Sequence, residues 1–154
     1  MTAVLQRVKR ASVAADGAES GKIQKGLMIL LGVRCGDDAT DARLLAEKIA
    51  KLRIFSDECG KMNLSLLDVG GEALVISNFT LGANYAHGNR PDYLDAARPD
   101  VAEPLYRSFI SALRECAVPV ENGVFGADMQ IDMIADGPVT IVMESSVLRK
   151  GKKG

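Results

Sequence analysis

The chain has 154 residues, a length that favours a single domain with a substantial core. A net charge of −1 excludes the strong positive field of a general nucleic-acid binder, and no apolar run is long enough to cross a bilayer. Three widely spaced cysteines and one histidine predict neither a disulfide framework nor a metal site, and we expect no cofactor. Because residues 1–7 lack an apolar signal stretch, the sequence predicts a cytoplasmic protein.

The N-terminal part of the chain has the pattern of consecutive strands. Alternating apolar and polar residues predict a strand over 3–13, and Asp16-Gly17 predicts a hairpin to a short strand near Ile23. Residues 27–33 form the most hydrophobic run of the chain. This length and composition predict a strand that is buried on both faces.

Two segments have the apolar spacing of amphipathic helices. The first covers 41–52, with Thr40 as its expected N-cap. The second is expected to begin with Asp100 as its cap and to end before Pro119.

The remaining elements are predicted to be strands and turns. A short strand is expected over 53–55, a buried strand over 74–81, a turn at 121–123 and two final strands over 129–135 and 138–143. The order of strands and helices predicts one α/β domain with mixed strand pairing and two helices packed on one side. Because such a sheet has edges to cover, a homodimer is favoured.

Two stretches and one charged residue are candidates for a functional site. The strand that begins at Leu74 ends in the polar residues 77–80; by itself this pattern is more typical of a strand end whose side chains bond to nearby backbone. Gly137-Pro138 offers a bend with exposed carbonyls, although composition alone favours an ordinary hairpin turn. Arg7 interrupts a strand-like stretch and is either a surface residue or a buried one bonded to backbone carbonyls.

Taken together, Ser77-Asn78-Phe79-Thr80-Leu81 and Gly137-Pro138-Val139-Thr140 resemble the two signature motifs of the D-aminoacyl-tRNA deacylases, also called D-tyrosyl-tRNA deacylases. Further matching blocks lie in order along the chain at 6–8, 11–13, 30–33, 52–55, 60–65, 89–91 and 125–129. The resemblance covers residues 1–148, and the basic segment 149–154 is expected to be a disordered tail. The family usually carries Gln where this chain has Asn78, and Asn where it has Ala135.

The resemblance implies a fold of barrel-like β/β/α layers, a reaction and a set of residues. Family members hydrolyse the ester that joins a D-amino acid, and often glycine, to the terminal ribose of tRNA. The reaction releases the free amino acid and the tRNA, and it serves as chiral proofreading in translation. The residues assigned by this likeness are Ser77, Phe79 and Thr80 for catalysis; Asn78, Gly137, Pro138 and Met129 for substrate binding; and Arg7 as support of the Gly-Pro turn. The Gly137-Pro138 pair, cis in the family, would enter the pocket of the other subunit of a homodimer, where its carbonyls hold the α-amino group and exclude an L side chain.

The chemistry expected at this site depends on positioning. Thr80 has no adjacent base to make it a nucleophile, and His87 is expected to be a loop residue. We expect backbone amides around Phe79 and Thr80 to form an oxyanion hole, while the 2′-hydroxyl of the RNA helps to activate water. No metal is implied by any cluster.

Three alternative functions remain. The first is a family member that binds tRNA without hydrolysis because of Asn78, and the second is a related deacylase of mischarged L-aminoacyl-tRNA. The third is a small-molecule esterase, which the absence of a Ser-His-acid set disfavours.

Overall fold

The computed structural model describes residues 1–150, and its elements are those of a mixed sheet flanked by helices. In chain order they are β1 (Thr2–Ala15), β2 (Ala18–Ile23), β3 (Gly26–Gly32), α1 (Ala39–Lys51), β4 (Phe55–Ser56), β5 (Met62–Leu64), β6 (Glu72–Ser77), a 3-10 turn (Phe79–Gly82), α2 (Pro99–Glu115), β7 (Val120–Asn122), β8 (Met129–Glu144) and α3 (Ser145–Lys150). The mixed α/β architecture predicted from the sequence is confirmed. Within residues 1–150, no helix is long and apolar enough to span a membrane.

The long strand β1 organises the main sheet. One of its edges pairs antiparallel with β3 through residues 2–8 and with β2 through residues 11–15, and the other edge pairs antiparallel with β8 along its length. On the far side of β3 the pairing becomes parallel, first to β6 and then to β7. The sheet curves until β2 approaches β7, where a Cβ at Gly21 would lie 2.9 Å from the carbonyl oxygen of Asn122. Glycine is required at this close approach, which nearly closes a barrel.

The main core lies between the sheet and the helices α1 and α2. Apolar residues of α1 and α2, including Leu45, Ile49 and Phe109, pack with alternate residues of β3 such as Ile29. The intervening β3 residue Met28 faces a second, smaller cluster inside the curved sheet. The predicted burial of this strand on both faces is therefore confirmed, because each face contacts its own cluster.

Both predicted helix caps were wrong. Helix α1 begins at Ala39, and Asp38 caps it: its Oδ1 accepts hydrogen bonds from the amides of Thr40 at 2.8 Å and Asp41 at 3.4 Å. Asp41 in turn accepts a bond from the Asp38 amide at 2.9 Å, which completes a capping box. Helix α2 begins at Pro99 after Arg98, with no capping side chain, because proline is well suited to the first helical position.

Several strand boundaries also differ from the prediction. The two expected C-terminal strands are one continuous strand, β8, which absorbs the Gly137-Pro138 bend by shifts in its register with β1. The expected turn at 121–123 lies largely within β7, whose pairing with β6 is a long-range contact that local composition does not indicate. A further helix, α3, follows β8 and was not predicted.

The predicted C-terminal tail, 149–154, differs from the structure at its first two residues. Arg149 and Lys150 belong to α3, and the rest of the predicted tail, 151–154, lies outside the described residues. Arg149 donates hydrogen bonds to both carboxylate oxygens of Asp41, at 2.8 and 2.9 Å, and also bonds Asp38. Burial alone would raise the pKa of Asp41, but the bonds from Arg149 and the Asp38 amide hold that pKa well below its usual range. This contact attaches α3 to the first turn of α1.

Replacing Arg149 with glutamine should therefore lower the free energy of unfolding by about 1.5 kcal/mol at neutral pH, because a buried carboxylate loses charged donors. A lowered folded-state pKa stabilises the protein above the unfolded pKa of about 3.9, and this stabilisation is lost as the pH falls below that value. The difference between the proteins should accordingly shrink below about pH 4 in chemical denaturation. Arg43→Gln, which breaks only an exposed pair with Glu47, is the control and should change stability by less than about 0.5 kcal/mol; equal losses in the two variants would contradict this role for Arg149.

Candidate active site

A cavity of about 550 Å³ lies beside the carboxyl end of β6. It is enclosed by the end of β6, the first turns of α2 and the segment before β8. Its lining residues are Leu31, Val33, Ser77, Asn78, Phe79, Thr80, Ala97, Pro99, Ala102, Tyr106, Phe125, Gly126, Ala127, Asp128 and Met129. The structure thus brings together five residues of the predicted site: the four from Ser77 to Thr80, and Met129.

The chain changes conformation at Asn78. The strand was predicted to continue to Leu81, but β6 ends at Ser77, and the Asn78 amide makes a last bond to the Leu31 carbonyl at 2.9 Å. The Asn78 side chain then caps the 3-10 turn: Oδ1 accepts a hydrogen bond from the Thr80 amide at 3.2 Å and a short one from the Thr80 hydroxyl. Asparagine is short enough to reach the amide two residues on, which explains why the strand stops here. The alternative of side chains that bond to nearby backbone is met at Asn78, whereas the Thr80 hydroxyl bonds a side chain.

Because of this cap, only one of the two amides expected to form an oxyanion hole still lacks an acceptor among the described residues. The Thr80 amide already has Asn78 as its acceptor. The Phe79 amide is the first of the turn and so has no acceptor within it, and it donates to no other group in residues 1–150. Phe79 is therefore the better placed of the two donors for a substrate oxygen.

Aromatic rings form the mouth and one wall of the cavity. The Phe79 side chain is 61% exposed and meets the ring of Tyr93 edge-to-face, with centroids 5.1 Å apart. Deeper in, the Tyr106 hydroxyl donates to the Val75 carbonyl at 2.9 Å, and its ring packs against Phe125. Burial raises the pKa of Tyr106 to about 12, so this hydroxyl stays protonated at neutral pH.

The cavity contains few groups that could transfer protons. Among its lining residues in the described chain, the titratable side chains are those of Tyr106 and Asp128. His87 is exposed and is not one of the lining residues. Because Thr80 has no histidine or lysine beside it and bonds to Asn78, its hydroxyl lacks the base that a nucleophile needs.

The Gly137-Pro138 pair is not part of this cavity. Its peptide bond is cis, and it lies on the outer strand β8 where the register with β1 shifts opposite Arg7. Among the residues of β8 only Met129 lines the cavity, and within one chain the pair lies eight residues further along this strand, roughly 26 Å of extended backbone. The two predicted halves of the site are therefore apart in a single copy.

Arg7 is buried beneath this bend. It is 8% exposed, and it donates from Nη1 to the Ile54 carbonyl at 2.8 Å and from Nε to the Asp136 carbonyl at 3.2 Å. The carboxylate of Asp136 lies 3.3 Å from Nε. Of the two alternatives for Arg7, the surface position is wrong: its donors bond backbone carbonyls, including that of the residue before Gly137.

Sequence reasoning missed two residues that shape the cavity, Tyr106 and Phe125. Tyr106 lies on the buried face of α2 with Phe109 and Leu113, so its spacing indicates core packing. Phe125 lies in one of the blocks that resemble the family, and this was the only signal that could have pointed to it.

Comparisons with known proteins identify relatives of this chain. A family model described as D-Tyr-tRNA(Tyr) deacylase matches residues 4–144. The chain is 58% identical to a D-aminoacyl-tRNA deacylase of Chloroflexus aurantiacus, over 97% of this chain and 93% of that protein. It is 54% identical to a D-aminoacyl-tRNA deacylase of Thermomicrobium roseum, over 98% of each.

Solved structures share the fold as well. A c-Myc DNA unwinding element binding protein superposes with a TM-score of 0.87 at 40% identity, covering 94% of this chain and 98% of that one. A probable eukaryotic D-amino acid tRNA deacylase superposes with a TM-score of 0.79 at 14% identity, over 93% and 99%, a likeness of fold alone. The resemblance found in the motifs is confirmed by these matches, and the chain belongs to the D-Tyr-tRNA(Tyr) deacylase family.

Proposed function

We propose that this protein hydrolyses the ester bond of D-aminoacyl-tRNA, and of glycyl-tRNA, in cytoplasmic translation, releasing the amino acid and the tRNA. Membership of the deacylase family supports the reaction class. The observation that carries the proposal is the cavity at the end of β6, where the Phe79 amide lacks an acceptor within the described chain. An activated ester needs little more than a held carbonyl and a water molecule.

The proposed catalytic unit is a homodimer. Within residues 1–150 of one chain β8 pairs only with β1, so its outer edge is open, and its side chains include the exposed apolar residues Ile131, Ile134 and Val142. A second copy packed on this strand would cover them and would bring its Gly137-Pro138 bend to the cavity. This arrangement accounts for the distance between the two halves of the site in one chain.

In the proposed reaction, water adds to the ester carbonyl carbon and the bond to the ribose oxygen then breaks. The Phe79 amide donates to the carbonyl oxygen as negative charge develops there, an interaction worth roughly 3 kcal/mol in other enzymes. The proton of the water passes to the ribose oxygen, with the neighbouring 2′-hydroxyl of the RNA assisting. Ser77 and Met129 line the space for the terminal adenosine, and the Asn78 side-chain nitrogen can donate to it because only its oxygen bonds Thr80.

Selection of the D form depends on two groups that all substrates share, the α-amino group and the ester. The carbonyls of Gly137 and Pro138 from the partner would accept hydrogen bonds from the α-amino group. With that group and the ester both fixed, a D side chain points outward, whereas an L side chain meets the backbone of the bend. Such a misfit costs several kcal/mol, enough for strong discrimination without a side-chain pocket.

The decisive experiment is to compare hydrolysis of matched D- and L-tyrosyl-tRNA by the purified protein, with and without EDTA. We expect rapid loss of the D ester alone and no effect of EDTA. Loss of the L ester would instead identify a deacylase of mischarged L-aminoacyl-tRNA. Binding of tRNA with both esters intact would identify a non-hydrolytic family member, and either result would overturn the proposal.

Replacing Thr80 with valine tests whether its hydroxyl is the nucleophile. We expect kcat to fall by no more than about tenfold, because the change removes one hydrogen bond to Asn78 worth about 1 kcal/mol. Thr80→Ser, which keeps the hydroxyl, should stay near the wild-type rate. A loss of about a thousandfold or more in the valine variant alone would show that Thr80 takes a direct part in bond formation.

A further inference from the structure

A second groove lies behind the wall of the candidate active site. It has a volume of about 520 Å³ and lies between α2 and the segment 122–125. Tyr106 and Phe125, whose ring centroids are 5.7 Å apart, line both this groove and the active-site cavity. The two spaces are therefore separated by a single layer of aromatic side chains.

The groove carries positive charge on a chain that is slightly acidic overall. Arg107 and Arg114 lie seven residues apart on α2, so their side chains follow each other along one face at roughly 10 Å. Glu103 accepts a hydrogen bond from Arg107 at 2.8 Å and offsets one of the two charges. Arg114 donates to the Val120 carbonyl at 3.0 Å and forms no ion pair within residues 1–150. The Val120 contact orients a guanidinium whose other donors remain available.

We propose that this groove binds backbone phosphates of the nucleotides that precede the terminal adenosine of the substrate RNA; this rests on the proposed function. If the terminal adenosine lies in the cavity, the RNA chain that precedes it must leave the cavity past one of the cavity walls. The groove is the space directly across the Tyr106–Phe125 wall, and it presents planar guanidinium groups that match phosphate oxygens. The hydroxyl of Ser111 adds a neutral donor. Contacts of this kind position an RNA strand without reading its sequence.

The test compares two substrates: D-tyrosyl-tRNA and the minimal ester D-tyrosyl-adenosine, which lacks the preceding nucleotides. For Arg114→Gln we expect KM for the tRNA to rise about three- to tenfold with kcat unchanged. The slope of log(kcat/KM) against log[salt] should become shallower by about 0.7, as expected for one lost phosphate contact to a single strand. Glu103→Gln removes the offsetting carboxylate and should lower KM for the tRNA. Both variants should cleave the minimal ester at the wild-type rate.

Controls separate this inference from simpler effects. Arg43→Gln removes an exposed arginine of α1 outside the groove and should leave KM for the tRNA unchanged. If the kinetic constants of Arg114→Gln change equally with both substrates, Arg114 acts through the active-site wall. If KM for the tRNA and the salt slope are unchanged in Arg114→Gln and Glu103→Gln, RNA does not contact the groove. Each result overturns the inference. If the wild-type protein cleaves neither ester, the proposed function fails. The inference that the groove binds RNA is then tested by the dissociation constant for uncharged tRNA, which must rise in Arg114→Gln and fall in Glu103→Gln.

Discussion

Replacing Arg7 with leucine is expected to lower the free energy of unfolding by about 3 kcal/mol. The carbonyls of Ile54 and Asp136 would both lose a donor whose side chain is only 10% exposed, and each unsatisfied buried group costs about 1–3 kcal/mol. Because Asp136 precedes Gly137, hydrolysis of the D ester should also fall, by at least about tenfold. Chemical denaturation and the deacylation assay measure the two effects, and Arg7→Lys should retain only part of each, since lysine lacks the planar fork of donors.

Arg10→Leu is the matched control for Arg7. Arg10 lies in the same strand and pairs with Asp132 at 3.2 Å, but both side chains are largely exposed. An exposed pair contributes little, so this variant should lose less than about 0.5 kcal/mol and keep full activity. A comparable loss in both variants would mean that charge in β1, rather than the buried bonds of Arg7, explains the effect.

Replacing Gly137 with alanine is expected to reduce hydrolysis of D-tyrosyl-tRNA about 100-fold and stability by about 2–3 kcal/mol. Gly137 has φ +133°, a conformation that L residues rarely adopt, and an added Cβ would lie 2.7 Å from the Val139 amide nitrogen and 3.4 Å from Arg7. The bend must therefore shift, and a displacement of about 1 Å at a positioning group is enough for a loss of this size. Single-turnover rates with the D and L esters measure the effect.

Gly17→Ala separates the steric contact from the conformational effect. Gly17 also has positive φ, +79°, but a Cβ there would meet no atom of residues 1–150 within 4 Å. We expect a stability loss of about 1 kcal/mol and no change in hydrolysis. If Gly137→Ala keeps the wild-type rate and selectivity, the bend has no part in the site.

Local periodicity explains which elements could be predicted from the sequence. The alternation in β1, the apolar run of β3 and the spacing of Leu45 and Ile49 in α1 each depend on neighbours within a few residues, and these elements are present in the structure. The continuity of β8 and the strand pairing of β7 depend on long-range partners, and they were missed. Both helix caps were misplaced by two residues; at α1 the reason is that Asp38 and Thr40 are both good caps.

The sequence predicted several residues of the candidate site, but it did not predict how those residues are arranged in space. The motif from Ser77 to Thr80 does line a cavity, yet the bond from the Thr80 amide to Asn78 depends on where the strand ends. The separation of Gly137-Pro138 from that cavity follows from the position of the pair along β8, which a motif does not contain. Tyr106 occupies a core spacing in α2, and its second role as a wall of the cavity appears only in three dimensions.

The pairing of β1 with β8 has a consequence for how the chain acquires its fold. Thr2 bonds Glu144, 142 residues further along the chain, and one whole edge of β1 is completed only by β8. Contacts of such high sequence separation are slow to form, so folding in milliseconds to seconds is expected. During synthesis β1 is made before β8, and one hydrogen-bonding edge of β1 stays open until β8 pairs with it. An intermediate that lacks β8 therefore exposes this edge to other chains, and intermolecular pairing there competes with correct folding.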